Sequence, residues 1–153
     1  MSVPTTINNP NGLLSLGISL SYKAHGTTDA YVTLPGLQEI PDLGGEPERV
    51  DVTTLADSSR RYINGIKDYD SFAFTFLYDA SENGVYTLCK GLEDAYIADP
   101  TAYQDWKLEF PDGASFEWSG ACTCNIIGQS VNTAIQFTLN IALNSDMTFT
   151  AGR

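Results

Sequence analysis

Residues 134–143 read AIQFTLNIAL, with apolar side chains on every second position. A period of two sends successive side chains to opposite faces of a β-strand, whereas a helix would bring back every third or fourth. Ile135, Phe137, Leu139, Ile141 and Leu143 are expected inward, and Gln136, Thr138 and Asn140 on the other side. Residues 71–78 (SFAFTFLY) repeat the pattern with Phe72, Phe74, Phe76 and Tyr78 on one face, and residues 18–23 (ISLSYK) alternate as a half-buried strand.

Further strands follow from the same reading. Residues 106–110 (WKLEF) and 115–125 are joined by Pro111-Asp112-Gly113, a strong hairpin turn. Residues 31–40 (YVTLPGLQEI) begin as a strand that Pro35 and Gly36 confine to an edge or a bulged end. After the turn chemistry of PDLGGEP, residues 49–53 return as a strand, and the two together suggest a long hairpin whose tip stands away from the body. One helix is expected where Val85, Leu88, Cys89, Leu92 and Tyr96 recur at helical spacing, with Ser81 as N-cap and Asp99-Pro100 as stop. Gly91 weakens it by up to about 1 kcal/mol relative to alanine. About seven strands and one helix predict a mainly β fold, a β-sandwich or small barrel with the helix packed on it.

With 153 residues, 42% of them hydrophobic, the chain is expected to form a single domain over 18–149. Residues 1–17 read as a flexible arm, residues 36–70 as the long hairpin and its loop, and residues 150–153 as a tail. The eight Lys and Arg against nineteen Asp and Glu leave a formal charge of −11. That balance excludes a typical nucleic-acid binder, whose affinity comes from basic side chains neutralising phosphates. Cys89, Cys122 and Cys124 are too few and wrongly spaced for a zinc site, and are expected to be buried free thiols. A secretory signal and a membrane-length apolar run are not expected, so the chain reads as soluble and cytosolic when made.

Catalytic patterns are weak. His25 is the only histidine and is expected to be a structural residue at a strand end, with no G-x-S-x-G elbow to support a triad. Asp68 with Asp70, and Glu109 with Glu117, are the nearest approach to paired carboxylates. Each pair falls in a polar loop or on a polar strand face, where solvated charge is the ordinary state. No phosphate loop or EF-hand spacing occurs. Neither a cofactor nor a metal is implied, and the function is expected to lie in surfaces.

The order of elements carries a resemblance. The segment WKLEFPDGASFEWSGACTCNIIGQSVNTAIQFTLNIALNSDMTF and the upstream VDVTTLADSSRRYINGIKD resemble the major tail tube protein of long, non-contractile-tailed bacteriophages. Contractile-tail tubes and the ring protein of type VI secretion share that fold. Since the sequence ends just after the last strand, the extra immunoglobulin-like domain of some members is not expected. The resemblance implies a structural virion protein, not an enzyme, that forms hexameric rings stacked into a tube for DNA ejection. The partners implied are other copies of the chain, tail initiator and terminator proteins, and a tape measure protein in the lumen. DNA would pass without specific binding, no membrane insertion is implied, and assembly would take place in the bacterial host cytoplasm.

In such a tube the loop and hairpin would contact neighbouring protomers, through Arg49, Arg60, Arg61, Tyr62 and Lys67. Arg49, Arg60, Arg61 and Lys67 are four of the eight basic residues and fall within one short window. The loop is expected to be mobile in the monomer and to order when its arginines meet acidic groups of a neighbour. Lys107, Glu109, Glu117, Gln136, Thr138 and Asn140 are the candidates for the channel wall. The competing expectation is a monomeric carbohydrate- or receptor-binding module of a tail tip, in which Trp106, Trp118 and tyrosines would stack on sugars. The strand alternation, however, sends both tryptophans inward.

Overall fold

The computed structural model describes residues 12–44, 47–67, 71–128 and 130–152. Most of the N-terminal arm, Asp68, Asp70 and Arg153 lie outside the described residues. The elements in chain order are β1 (Ser19–Ala24), β2 (Val32–Leu34), β3 (Leu37–Glu39), β4 (Pro47–Asp51), β5 (Tyr62–Lys67), β6 (Phe72–Leu77), α1 (Val85–Ala98), β7 (Gln104–Glu109), β8 (Ser115–Ile126), β9 (Gln136–Leu143) and β10 (Thr148–Thr150). The fold is mainly β with one helix. An antiparallel sheet runs β2-β1-β7-β8-β9-β6-β3, β10 adds to β8, and β4 and β5 form a separate two-stranded ribbon.

The apolar stripes meet on one face of this sheet. Phe74, Phe76, Trp106, Leu108, Phe137, Leu139 and Ile141 are fully buried there, each large side chain contributing about 1.5–3 kcal/mol. Phe74 lies parallel to Trp118 with centroids 6.1 Å apart, and Phe72 meets the same indole edge-on at 5.5 Å. Such contacts across the intervening β9 require a strongly curled sheet. Ile135 and Tyr78 depart from the alternation and are partly exposed: they lie at the open end of the β6–β9 pair, where the Tyr78 amide still donates to the Ile135 carbonyl at 2.9 Å.

The expected hairpin of residues 31–40 with 49–53 does not form. β2 pairs with β1 at one end of the strand order and β3 pairs with β6 at the other. Only Pro35 and Gly36 separate them, with Gly36 at φ +86°. The three-residue step from Leu34 to Leu37 spans at most about 11 Å, so the two sheet edges are brought together by peptide bonds. β4 instead pairs with β5, a strand hidden in what reads in the sequence as a polar excursion.

The helix stop falls at Asp99, as expected, but the start does not use Ser81. Gly84 is the N-cap and no side chain caps the helix. Ser81 belongs to the preceding turn: its amide donates to Asp79 Oδ1 and its carbonyl accepts from Gly84 and Thr87. Any Cβ at Gly84 would be driven into the Asp79 carbonyl. α1 packs on β8 through Val85 and Cys89, and the Glu93 carboxylate accepts the Cys124 amide at 3.3 Å. All three cysteines are free thiols, with Cys124 only half buried. Burial pushes the Cys122 thiol up to about 12.

Gly120 is the residue where β8 changes partners. Its register partner is Gln104 on β7 and Leu143 on β9, and its carbonyl accepts the Trp106 indole N–H at 3.0 Å. A Cβ here would be driven into the Ala142 carbonyl oxygen. Gly120→Ala is expected to lower unfolding stability by about 1–3 kcal/mol in urea titration. An unchanged midpoint would contradict this close approach of β8 and β9.

Candidate functional site

Every strand that buries a core residue presents its neighbour on the opposite face. Register places Ser21, Lys107 and Glu117 side by side across β1, β7 and β8, and Thr123, Asn140 and Ala73 side by side across β8, β9 and β6. Asn125, Thr138 and Thr75 form the next row, and Gln136 lies opposite Leu77. Glu109 pairs with Ser115 and Ser19 at the far end of β7. The six sequence candidates for a channel wall, Lys107, Glu109, Glu117, Gln136, Thr138 and Asn140, thus share one continuous polar face.

That face has two halves. Across β6, β9 and the second half of β8 it carries small or neutral groups, and Gln136 hydrogen-bonds Gln38 at its margin. Across β1, β7 and the first half of β8 it is charged. Lys23 stands opposite Asp105 and Lys107 opposite Glu117, while the Tyr31 ring lies 5.1 Å from the Lys23 Nζ and 5.7 Å from the Lys107 Nζ. Burial raises the Tyr31 pKa, helped by the nearby Glu117 and Asp105 carboxylates.

Asp105 gathers the surrounding elements. Its Oδ1 accepts from His25 Nδ1 at 2.7 Å and from Ser119 Oγ at 2.6 Å. Because a carboxylate only accepts, Nδ1 must carry the proton. The imidazole stacks on Tyr103 with centroids 4.3 Å apart, and the Ser119 amide donates to Ser145 Oγ at 2.9 Å. Ser119 and His25 both point at the carboxylate and not at each other, so the three residues make a tie between β1, β7 and β8. They do not form a relay that would activate a nucleophile. Glu109 and Glu117 are diagonal neighbours on β7 and β8, and Lys107, in register with Glu117, lies on the same face.

The ribbon holds the other candidates. Arg60 Nη1 donates to Asp51 Oδ2 at 3.0 Å and Arg61 Nη1 to Asp57 Oδ1 at 3.3 Å. The Arg49 guanidinium lies 5.9 Å from the Tyr62 ring. Lys67 falls opposite Pro47 in the backbone register, with its side chain outside the described residues. The Thr53 hydroxyl and amide hold the Asp51 carboxyl below its ordinary value, and the Thr54 amide does the same for Asp57. The loop expected to wait for a neighbour is therefore already tied internally, and Arg60 and Arg61 have partners on their own ribbon. Sequence reasoning missed β5, although Tyr62, Ile63 and Ile66 are strand-favouring residues.

The phage tail tube protein family model (TTP) matches residues 23–152. No curated protein matches the chain. Among solved structures, the chain is similar to one from the virion of a native gene transfer agent particle, with 16% identity and TM-score 0.65 over 92% of this chain and all of that one. A chain from the tail of an empty gene transfer agent particle, refined helically with C6 symmetry, matches with 19% identity and TM-score 0.62 over 88% of this chain and 96% of the other. A chain from the sheath/tube terminator of an extracellular contractile injection system matches with 8% identity and TM-score 0.67 over 95% and 100%. At these identities the likeness is one of fold.

Burial pushes the Asp105 carboxyl up, but the hydrogen bonds from His25 and Ser119 and the nearby positive charges outweigh it and hold the group below its ordinary value. A depressed carboxylate stabilises the fold above the unfolded value of about 3.9, and that stability is lost as pH falls through the folded value. Asp105→Asn should therefore lower Tm at pH 7, and the gap to the wild type should narrow below about pH 4. A gap that is constant from pH 7 to 3 would refute the tie.

Proposed function

The chain belongs to the phage tail tube protein family, and we propose that it is a structural virion protein that polymerises as stacked hexameric rings into the tail tube. The tube would be built in the host cytoplasm from copies of this chain, started and ended by tail initiator and terminator proteins. It would enclose a tape measure protein until DNA passes through it into the host. The observation that carries this reading is the continuous polar sheet face, which supplies a surface suited to a channel wall.

Its electrostatics suit passage without retention. Lys23 and Lys107 are each in register with a carboxylate, so neither is an uncompensated cation for a phosphate to hold. Six copies at −11 each would give a ring of −66, and like-charge walls repel DNA. The short edge strands β2 and β3 would be covered by neighbours on ring closure, which removes the hazard of open sheet edges. Trp106 and Trp118 are 0% and 3% exposed, so they offer no stacking surface to a sugar, which disfavours the tail-tip binding module.

Negative-stain electron microscopy of the protein across concentration, with a tail initiator present, should show rings or hollow tubes. In those tubes Glu109→Cys and Glu117→Cys should react with small thiol reagents and resist large ones. A protein that stays monomeric with the initiator would overturn the proposal. Equal labelling by large reagents in intact tubes would move these residues off the channel wall.

A further inference from the structure

An apolar groove of about 520 Å³ lies between the first half of α1 and the β1–β2 pair, lined among others by Tyr22, Val32, Glu82, Leu88, Gly91 and Leu92. Val32 is 51% and Leu88 37% exposed. Gly91 is the informative residue. It stands inside a helix, where alanine is favoured; its φ is not positive, and a Cβ there would meet nothing within 4 Å. Among the described residues, neither backbone geometry nor packing calls for glycine. What the missing side chain does is keep the groove open.

The ribbon carries a matching knob. Leu55, in the loop between β4 and β5, is 107% exposed. It is not presented on slack chain: the Thr54 amide and hydroxyl donate to Asp57 Oδ2 at 2.8 and 3.1 Å, the Arg61 amide donates to Thr53 Oγ1 at 2.9 Å, and Arg60 is bound to Asp51. Charge also points between copies. Residues 47–67 contain four basic and three acidic residues, a net +1, so the rest of the chain carries −12.

We propose that the groove between α1 and the β1–β2 pair receives Leu55 of a second copy of this chain. The proposal rests on the assembly reading above and adds the surface that accepts the ribbon. Knob and groove lie on different parts of one molecule, so the contact is heterologous and propagates into a closed ring or a continuing stack. Burial of a leucine against Val32, Leu88 and Leu92 supplies attraction, and the acidic body favours approach of the basic ribbon.

Gly91→Gln introduces a good helix former whose side chain fills the groove. The monomer should keep or raise its Tm, by up to about 2–4 °C, while assembly is lost. Leu55→Asp, at a fully exposed loop position, should likewise spare monomer Tm and block assembly. In wild-type-like tubes made from mixed Leu55→Cys and Thr87→Cys copies, a short bis-maleimide should give dimers absent from either copy alone. Normal tubes from Gly91→Gln and no such dimers would overturn the groove assignment while leaving the assembly reading intact. Failure of the wild type to assemble at all would overturn both.

Discussion

The hydrogen bond from the Trp106 indole to the Gly120 carbonyl sits where the sheet divides its loyalties. β8 is the longest strand, and its first half is paired with β7 and β10 and its second with β9. A strand that changes neighbours leaves backbone groups without a ladder partner, and a buried carbonyl left unpaired costs about 1–3 kcal/mol. Trp106 supplies one donor, and farther along Glu93 accepts the Cys124 amide. α1 then covers this stretch, so helix, core and handover of pairing depend on one another.

The curl that follows from this arrangement separates two kinds of surface. Its inside is a continuous aromatic and aliphatic core. Its outside is a shallow polar face on which Lys23 and Lys107 are matched by Asp105 and Glu117, Glu109 stands opposite two serines, and the β6–β9 half is uncharged. The ribbon stands outside both. An isolated two-stranded hairpin is marginal in water, and here its loop is held by the Thr53, Thr54 and Arg61 amides donating to the side chains of Asp51, Asp57 and Thr53. Apolar residues on the ribbon, such as Ile66 at 86% exposure, are left uncovered by the other described residues.

Strong periodicity made the core strands legible. Phe72, Phe74 and Phe76, and Phe137, Leu139 and Ile141, lie on the face that alternation assigned, and the polar candidates of β7, β8 and β9 follow by parity. The Pro111-Asp112-Gly113 turn was equally clear, because Gly113 at φ +90° and the Asp112 carboxylate do locally what their types favour. The partners of short strands were not legible. Nothing in residues 31–40 says that the chain crosses from one sheet edge to the other at Pro35-Gly36, since that depends on the curl of the whole sheet. Ser81 looked like a cap but was pre-empted by Asp79, a competition between neighbours of similar chemistry. The groove left no sequence pattern beyond a glycine in a helix, and its meaning required knowing that none of the described residues fills it.

The Pro35-Gly36 crossing gives the domain a mechanical character that hydrogen bonds alone would not. A curled sheet with free margins can be prised open by peeling one edge strand at a time. Here β2 and β3 are successive parts of one short piece of chain, so the seam behaves like a hoop fastened by covalent bonds. A load that tends to flatten the curl must first strip β2 from β1 or β3 from β6, and only then can the cylinder wall spread. Resistance to bursting and torsion is thereby concentrated in a clasp of two residues.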